Sequence, residues 1–221
     1  MTLLRGDEND EELLTILTRA VSNQSLSDLK HVIKTYQNTR NIEVNDVNLA
    51  IYSGLFLLAA RFPSVEVIDC LYTAYKNVID INKLDTSGST PFMLAVQGTN
   101  LLVIRYLYDK FKKSIDYGKH GTCNTSALML SIEHKDIEIL QNLVTKHKKT
   151  IDINKQNRLG MTVFMNAAIH ANYETFVFLY EQFTNTIDID LVEANGNTIL
   201  LLAARHASID ILKFFFEKFS P

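Results

Sequence analysis

The chain has little of what would cross-link it, anchor it in a lipid bilayer or attract it to nucleic acid. It contains two cysteines in 221 residues, Cys70 and Cys123, which fit a small buried residue and a turn residue better than a disulfide. No apolar run approaches the length of a membrane-spanning helix, and residues 1–12 are mostly polar and acid-rich, unlike a secretory signal. The formal net charge of −3 gives no attraction to nucleic acid or acidic membranes. These absences predict an intracellular protein in a reducing compartment, the cytoplasm or the nucleus.

What the chain does contain is a helix-start signal that recurs every 36 residues. A threonine or serine that can accept a hydrogen bond from the first helical turn stands at Thr90, Ser126, Thr162 and Thr198, where 126 − 90, 162 − 126 and 198 − 162 all equal 36. Pro91 follows the first of them at the first helical position, where no N–H donor is needed. A helix is therefore predicted after each cap.

A tight turn precedes each of these caps. Gly88, Gly160 and Gly196 supply the positive φ that the turn requires, and Asn124, which tolerates that conformation, holds the place in the fourth repeat. Small and apolar residues keep the same period, in columns such as Ala59, Ala95, Ser131, Ala167, Ala203 and Leu71, Leu107, Leu143, Leu179, Phe215. Several columns with one period of this size are typical of a solenoid, in which each repeat buries its apolar face against its neighbours.

The turn and helix at residues 85–95, Asp-Thr-Ser-Gly-Ser-Thr-Pro-Phe-Met-Leu-Ala, resemble those of the ankyrin repeat, and Asp80-Ile81-Asn82 resembles the segment that leads into it. The resemblance covers nearly the whole chain and implies an all-α, ankyrin-like helical solenoid of about six stacked turn-helix-helix repeats. The period exceeds the ankyrin period of about 33 residues, and the surplus falls after the second helix. A longer second helix or a longer outer loop is therefore expected.

The repeat spacing also gives the predicted domain organisation. Residues 1–10 form a flexible N-terminus, and residues 11–221 form a single ankyrin-repeat domain with repeats at 11–45, 46–84, 85–120, 121–156, 157–192 and 193–221. The first repeat, with helices predicted over 11–22 and 26–36, fits a divergent cap with a polar outer face. The last repeat is rich in phenylalanine, and Phe215 and Phe216 fall on core columns. Either the chain continues beyond Pro221 or something covers this end.

A column of histidines is the strongest suggestion of chemistry. His134, His170 and His206 are one period apart. Neighbouring helices lie about 8–10 Å apart, whereas a shared zinc ion needs each nitrogen at about 2 Å. These histidines are therefore interpreted as turn or helix-end residues, or as contacts to a partner, and not as metal ligands.

The remaining polar columns have structural explanations. One period also separates the aspartates Asp80, Asp116, Asp152 and Asp188, too great a spacing to share a proton as a catalytic pair does. Neither cysteine has a catalytic signature, and the turn glycines do not form a phosphate-binding loop. Lysines near the ends of second helices suit helix C-termini, with a docking site for an anionic partner as the alternative: Lys110, Lys112, Lys113, Lys146, Lys148 and Lys149. The sequence thus predicts no enzyme, no cofactor and no metal site.

In the ankyrin family, partners are commonly bound by the turn tips and by the last residues of the first helices, which face a concave groove. By column, the resemblance implies partner-binding roles for Arg61, Phe62, His134, Arg158, Leu159, Met161, Ile169, His170, Arg205 and His206. The fifth-repeat set, from Arg158 to His170, is expected to dominate, because exposed apolar residues flanked by arginine are typical of interface hot spots. The alternative is that the apolar turn residues only pack on neighbouring turns.

The predicted function is a non-catalytic protein–protein interaction module, or scaffold, whose rigid groove binds a protein partner without nucleic acid and without inserting into a membrane. The identity of the partner stays open. One alternative is a structural subunit that docks or self-associates through Phe214 and Phe216 at its C-terminal end, the chain being otherwise monomeric. Another is the targeting part of a longer microbial effector, which would act in a host cytosol.

Overall fold

A computed structural model describes residues 8–37, 46–98, 100–116, 119, 126–133, 137–206 and 208–219. The helices of these residues are α1 Glu8–Ser22, α2 Leu26–Gln37, α3 Asp46–Ala60, α4 Val65–Tyr75, α5 Pro91–Gln97, α6 Leu101–Phe111, α7 Ala127–Glu133, α8 Ile137–His147, α9 Val163–His170, α10 Tyr173–Phe183, α11 Ile199–Arg205 and α12 Ile209–Phe219. They follow one another in pairs, one pair per predicted repeat, and the all-α fold class is confirmed. Among the described residues, no helix is both long enough and apolar enough to cross a lipid bilayer.

Side-chain caps start the first helices where the sequence predicts. The hydroxyl oxygens of Thr90, Ser126, Thr162 and Thr198 accept hydrogen bonds from the backbone N–H three residues on, at 3.2, 3.2, 3.1 and 3.5 Å. Each bond satisfies one of the N–H groups that a helix start leaves without a helical partner. The predicted caps are therefore confirmed.

The first two repeats differ from the regular ones. α1 begins at Glu8, so residues 8–10 are helical in the structure. α3 begins at Asp46 and passes through Gly54, which holds the place of the capping threonine. The fold therefore tolerates the lost cap in this repeat, because the helix starts two turns earlier with an acidic residue in its first turn.

The helices group into two compact units, one ending at Asp116 and the other beginning at Tyr117. In the first unit, α1, α3 and α5 pack side by side, as do α2, α4 and α6, and each first helix packs on the second helix of its own repeat. The core of this unit contains the fully buried Leu17, Leu29, Phe56, Ile68 and Leu71. Burying a side chain of this size contributes about 1.5–3 kcal/mol, which holds the layers together.

The second unit repeats this arrangement with α7, α9 and α11 in one layer and α8, α10 and α12 in the other. Its core includes Met129, Leu140 and Phe176. The rings of Phe164 and Phe176 stack at 4.5 Å within one repeat. The prediction of a single domain over residues 11–221 stays a prediction.

In the third, fourth and fifth repeats, the extra residues form a tight turn after the second helix. Following α6, the N–H groups of Ser114 and Ile115 both donate to the carbonyl of Phe111, and following α10 those of Thr186 and Ile187 both donate to the carbonyl of Phe183. After α8, a single 3₁₀ turn covers Lys148–Thr150. The second helices from α4 onward are all 11 residues long, so the longer period appears in the outer connection.

Two asparagine side chains bridge successive repeats at this connection. The Asn82 carbonyl accepts from the N–H of Asp116 at 2.8 Å while its amide donates to the carbonyl of Ser114 at 2.7 Å. Asn154 makes the same two bonds to Asp188 and Thr186, at 2.9 and 2.6 Å. One side chain thus satisfies two backbone groups of the following repeat. These bonds fix the spacing between successive repeats.

The phenylalanine-rich end differs from prediction. Phe215 is buried, as its column predicts, but Phe216 is 63% exposed, so its assignment to the core is wrong. Phe214 is buried, so its assignment to an exposed docking surface is also wrong. The reason is that α12 turns Phe214 and Phe215 toward α10, where the Phe214 ring lies 4.8 Å from the ring of Tyr180, and leaves Phe216 on its other side.

Candidate interaction surface

The turn of the first unit shows how the chain builds a rigid tip. One carboxylate oxygen of Asp85 accepts from the N–H groups of Ser87 and Ser89, both at 2.8 Å. The N–H of Asp85 donates to the carbonyl of Ser89 at 3.0 Å, and Gly88 takes a φ of 70°. The side chain at the first position therefore organises the turn, and the exposed Ser87 lies at its tip.

The second unit has two turns of the same design. At the first, the Asn157 side-chain oxygen accepts from the N–H groups of Leu159 and Met161, at 2.9 and 3.0 Å. At the second, the Glu193 carboxylate accepts from the backbone and side-chain N–H groups of both Asn195 and Asn197, at 2.6 to 3.3 Å. Hydrogen bonds from the backbone of Asn195, and then from the side chain and backbone of Asn197, hold the pKa of Glu193 below its ordinary value. The glutamate is therefore ionised at neutral pH.

Neighbouring turns in the second unit are tied to each other. The N–H of Ala194 donates to the carbonyl of Leu159 at 2.9 Å. The Gln156 side-chain amide donates to the carbonyls of Gly160 and Val192, at 2.6 and 2.8 Å. The backbones approach so closely that a Cβ on Gly160 would lie 2.8 Å from the backbone N of Ala194. Hydrogen bonds from Gln156 and from the following turn therefore fix the backbone of the turn that carries Leu159.

Apolar side chains lie exposed on this rigid pair of turns. Leu159 is 65% exposed, and the adjacent Arg158 is exposed as well. Met161 is half-buried. Val192, which the sequence analysis did not single out, is also exposed. Its column also contains Leu84, three periods earlier, which directly precedes the turn at Asp85 and is 40% exposed, so an apolar residue just before the turn is the signal that could have identified it.

The other predicted residues of the second unit lie at the opposite end of the first helices. Ile169 is half-buried and His170 is exposed at the last turn of α9, about 10 Å along the helix from its start. Arg205 and His206 are exposed at the end of α11. A cavity of about 130 Å³ opens beside His170, lined by Ser131, Ile132, Ile137, Leu140, Ala171, Asn172 and Thr175. The predicted residues of the second unit therefore form two groups. The turn group is Arg158, Leu159 and Met161, and the helix-end group is Ile169, His170, Arg205 and His206.

Of the residues predicted elsewhere, Arg61 already has a structural role. Its guanidinium lies 3.2 Å from the carboxylate of Asp85, and its carbonyl accepts from the Asn100 side chain at 3.1 Å. Phe62 is half-buried. His134 lies outside the described residues. Arg61 thus connects the second repeat to the third, in addition to any contact it makes with a partner.

The aspartate column has a local structural role in the turns. Asp80, Asp152 and Asp188 each accept from the N–H two residues on, at 2.8, 3.1 and 3.0 Å. Cys70 is a free, half-buried thiol whose pKa is raised by burial, and Cys123 lies outside the described residues. No group of three or more histidine, cysteine, aspartate or glutamate residues in the described part of the chain is arranged to hold a metal ion.

The fold and the turns define a helical repeat protein, and the comparisons with known proteins identify which kind. A family model described as "Ankyrin repeats (3 copies)" matches residues 55–157 and residues 128–220. Because these matches together cover most of the chain, the protein belongs to the ankyrin repeat family. The resemblance stated from the sequence is confirmed.

A solved structure with a similar fold supports the assignment of the fold. One similar chain comes from a structure described as "Bd0816 Predatory Endopeptidase from Bdellovibrio bacteriovorus in complex with immunity protein Bd3460". The alignment has a TM-score of 0.68 and 18% identity, and covers 92% of this chain and 97% of that one. At this identity the likeness shows the fold alone. No curated protein sequence matches the chain.

Proposed function

We propose that this chain is a non-catalytic protein-binding module and that the second unit holds its partner on the paired turns at Asn157 and Glu193. The observation that carries the proposal is Leu159, a large apolar side chain that is 65% exposed on a backbone fixed by hydrogen bonds. Family membership supports a protein partner, since turn tips are a usual contact surface of ankyrin repeats.

The chemistry of this turn group suits a protein surface that is apolar at its centre and acidic at its edge. Leu159 and Val192 supply exposed apolar area, and Arg158 adds a guanidinium that can form a bidentate pair with a carboxylate. Because the turns are already rigid, little conformational entropy is lost when a partner binds. Binding by exposed leucine on a pre-organised tip therefore needs no rearrangement of the fold.

The helix-end group forms the second part of the proposed surface. His170, Arg205 and His206 are exposed and can donate hydrogen bonds to a partner that extends along the first helices from the turns. A partner that reaches both groups must span the length of α9, about 10 Å. An extended segment of about three residues covers that distance.

The test is capture of partners from the source cells by the intact chain and by a variant, followed by mass spectrometry. Leu159→Ser gives the second unit the residue that Ser87 provides at the same turn position in the first. We expect at least about a tenfold loss of the captured partner, because burying an exposed leucine side chain contributes about 1.5–3 kcal/mol and about 1.4 kcal/mol is a tenfold change in affinity. The circular-dichroism spectrum should not change.

Leu102→Ser is the matched control, because it removes another exposed leucine, 69% exposed at the start of α6. This variant should capture the partner as well as the unaltered chain does. If Leu159→Ser captures the same proteins in the same amounts, the turn group is not the binding surface.

A further inference from the structure

The turn that begins at Glu193 contains the only Asn-Gly pair in the sequence, Asn195-Gly196. An asparagine followed by glycine readily loses its side-chain amide. The backbone nitrogen of the next residue can attack the side-chain carbonyl carbon, and glycine has no Cβ to hinder the approach. Asn195 and Gly196 are both exposed, so water reaches the pair. The groups needed for a spontaneous chemical modification are therefore present at this turn.

The reaction needs no reactant other than water. The Gly196 nitrogen gives up its proton to the solvent and forms a bond to the side-chain carbonyl carbon of Asn195. The bond from that carbon to the amide nitrogen breaks, and ammonia leaves with a proton from the solvent. Water then opens the five-membered imide ring at either of its carbonyl groups. The product is an aspartate or, when the backbone carbonyl is hydrolysed, an isoaspartate whose main chain is longer by a methylene group.

The folded turn holds both reacting groups in hydrogen bonds. The Gly196 N–H donates to the carbonyl of Glu193 at 2.8 Å, and the Asn195 side-chain amide donates to the Glu193 carboxylate at 2.9 Å. The backbone N–H of Asn195 donates to the same carboxylate oxygen at 3.0 Å. An N–H that is held by an acceptor gives up its proton less readily, and a side chain that is held cannot turn toward the attacking nitrogen.

We infer that Asn195 is a deamidation site and that Glu193 prevents the reaction while the turn is folded. The modification then proceeds from the locally open turn, at the rate of an unfolded peptide multiplied by the fraction of molecules in which the turn is open. Afterwards the turn cannot close as before, since a second carboxylate replaces the amide that donates to Glu193 and the two like charges repel. Each opening that leads to reaction is thus recorded as a permanent chemical change in the chain.

Asn197 is an internal control in the same turn. Its side-chain amide and backbone N–H donate to the other carboxylate oxygen of Glu193, at 2.6 and 3.3 Å. The residue that follows it, Thr198, is branched at Cβ and hinders attack by its own backbone nitrogen. The modification should therefore be found at Asn195 and not at Asn197.

Tandem mass spectrometry of the full chain during incubation at mildly alkaline pH measures the reaction, with a synthetic peptide of residues 190–201 as the unfolded reference. We expect the chain to react at Asn195 at least about tenfold more slowly than the peptide, because the hydrogen bonds to Glu193 must break first. Glu193→Ala should bring the rate close to that of the peptide. Glu193→Gln keeps one acceptor oxygen and should give a rate between the two.

Asp85→Ala is the matched control, since it removes the carboxylate that accepts the equivalent hydrogen bonds in the turn of the first unit. It should leave the rate at Asn195 within about twofold of that of the unaltered chain. A full chain that reacts as fast as the peptide would overturn the inference, and this comparison requires no variant to fold. Equal increases from Asp85→Ala and Glu193→Ala, or a faster reaction at Asn197 than at Asn195, would overturn it too.

Discussion

The turn at Asp85 in the first unit and the turn at Asn157 in the second unit share one frame and differ at the tip. In both, a side-chain oxygen at the first position accepts two backbone N–H groups, and a glycine with φ near 70° closes the turn. The tip is Ser87 in one and Leu159 in the other, both exposed. The fold therefore requires the frame, which consists of the side-chain acceptor and the glycine. The residue at the tip is free to differ between the two units and can change what each unit binds.

The largest loss of stability is expected when the glycine that closes the turn, Gly160, is replaced. In Gly160→Ala, a Cβ would stand 2.8 Å from the backbone of Glu193 and Ala194 at a φ of 74°, so neither turn could relax without losing the contact between them. Strain at positive φ and the backbone clash together should lower the free energy of unfolding by about 2–4 kcal/mol. Urea denaturation of the intact chain measures this loss.

Gly196→Ala is the matched control for that prediction. Its φ is 81°, but no heavy atom lies within 4 Å of the added Cβ, so only the strain of about 1–2 kcal/mol remains. If both variants lost the same free energy of unfolding, the close approach between the two turns at Gly160 would contribute nothing to stability.

A smaller effect is expected from removing the side chain that organises the turn. Asn157→Ala removes the acceptor for the N–H groups of Leu159 and Met161, which should cost about 1–2 kcal/mol of unfolding free energy. Asn157→Asp keeps that acceptor and reproduces the arrangement at Asp85, so stability should stay within about 0.5 kcal/mol. The two turns do not share a frame if the aspartate variant loses as much stability as the alanine variant.

The smallest effect is expected from the charge of Glu193 and should appear as a pH dependence. The pKa of Glu193 is lower in the folded protein, chiefly because Asn195 and Asn197 donate hydrogen bonds to its carboxylate. The ionised group therefore stabilises the fold fully above its ordinary pKa of 4.5, and this contribution is lost as the pH falls through the lowered value. The stability difference between the unaltered chain and Glu193→Gln should shrink between pH 6 and about pH 3. A difference that stays constant over that range would contradict the assignment.

The local structure was well predicted by sequence because it depends on residues close together in the chain. Thr90, Thr162 and Thr198 cap helices as expected, since a hydroxyl oxygen and an N–H three residues later are neighbours wherever a helix begins. Gly88, Gly160 and Gly196 take the positive φ that their turn positions imply. The period of 36 residues then fixed which helices pack together.

The candidate site was less predictable, because exposure depends on neighbours that a column does not contain. Leu201 and Phe216 lie on columns of apolar and tyrosine residues, yet they are 54% and 63% exposed. The ion pair of Arg61 with Asp85 joins residues 24 positions apart, which no repeat period relates. The Leu159 tip was identified from its repeat column, from the ankyrin resemblance and from the arginine beside it, and its role as a contact residue stays a prediction.

The short first helices have a consequence for how the chain folds during synthesis. α5, α7 and α11 have seven residues and α9 has eight, whereas an isolated helix in water needs about 12–15 residues to persist. Each of them must therefore wait for the second helix of its own repeat, against which it packs, to leave the ribosome before it can settle. A ribosome that pauses before that second helix has emerged would leave the first helix unfolded and open to proteases, while a pause after it has emerged would not.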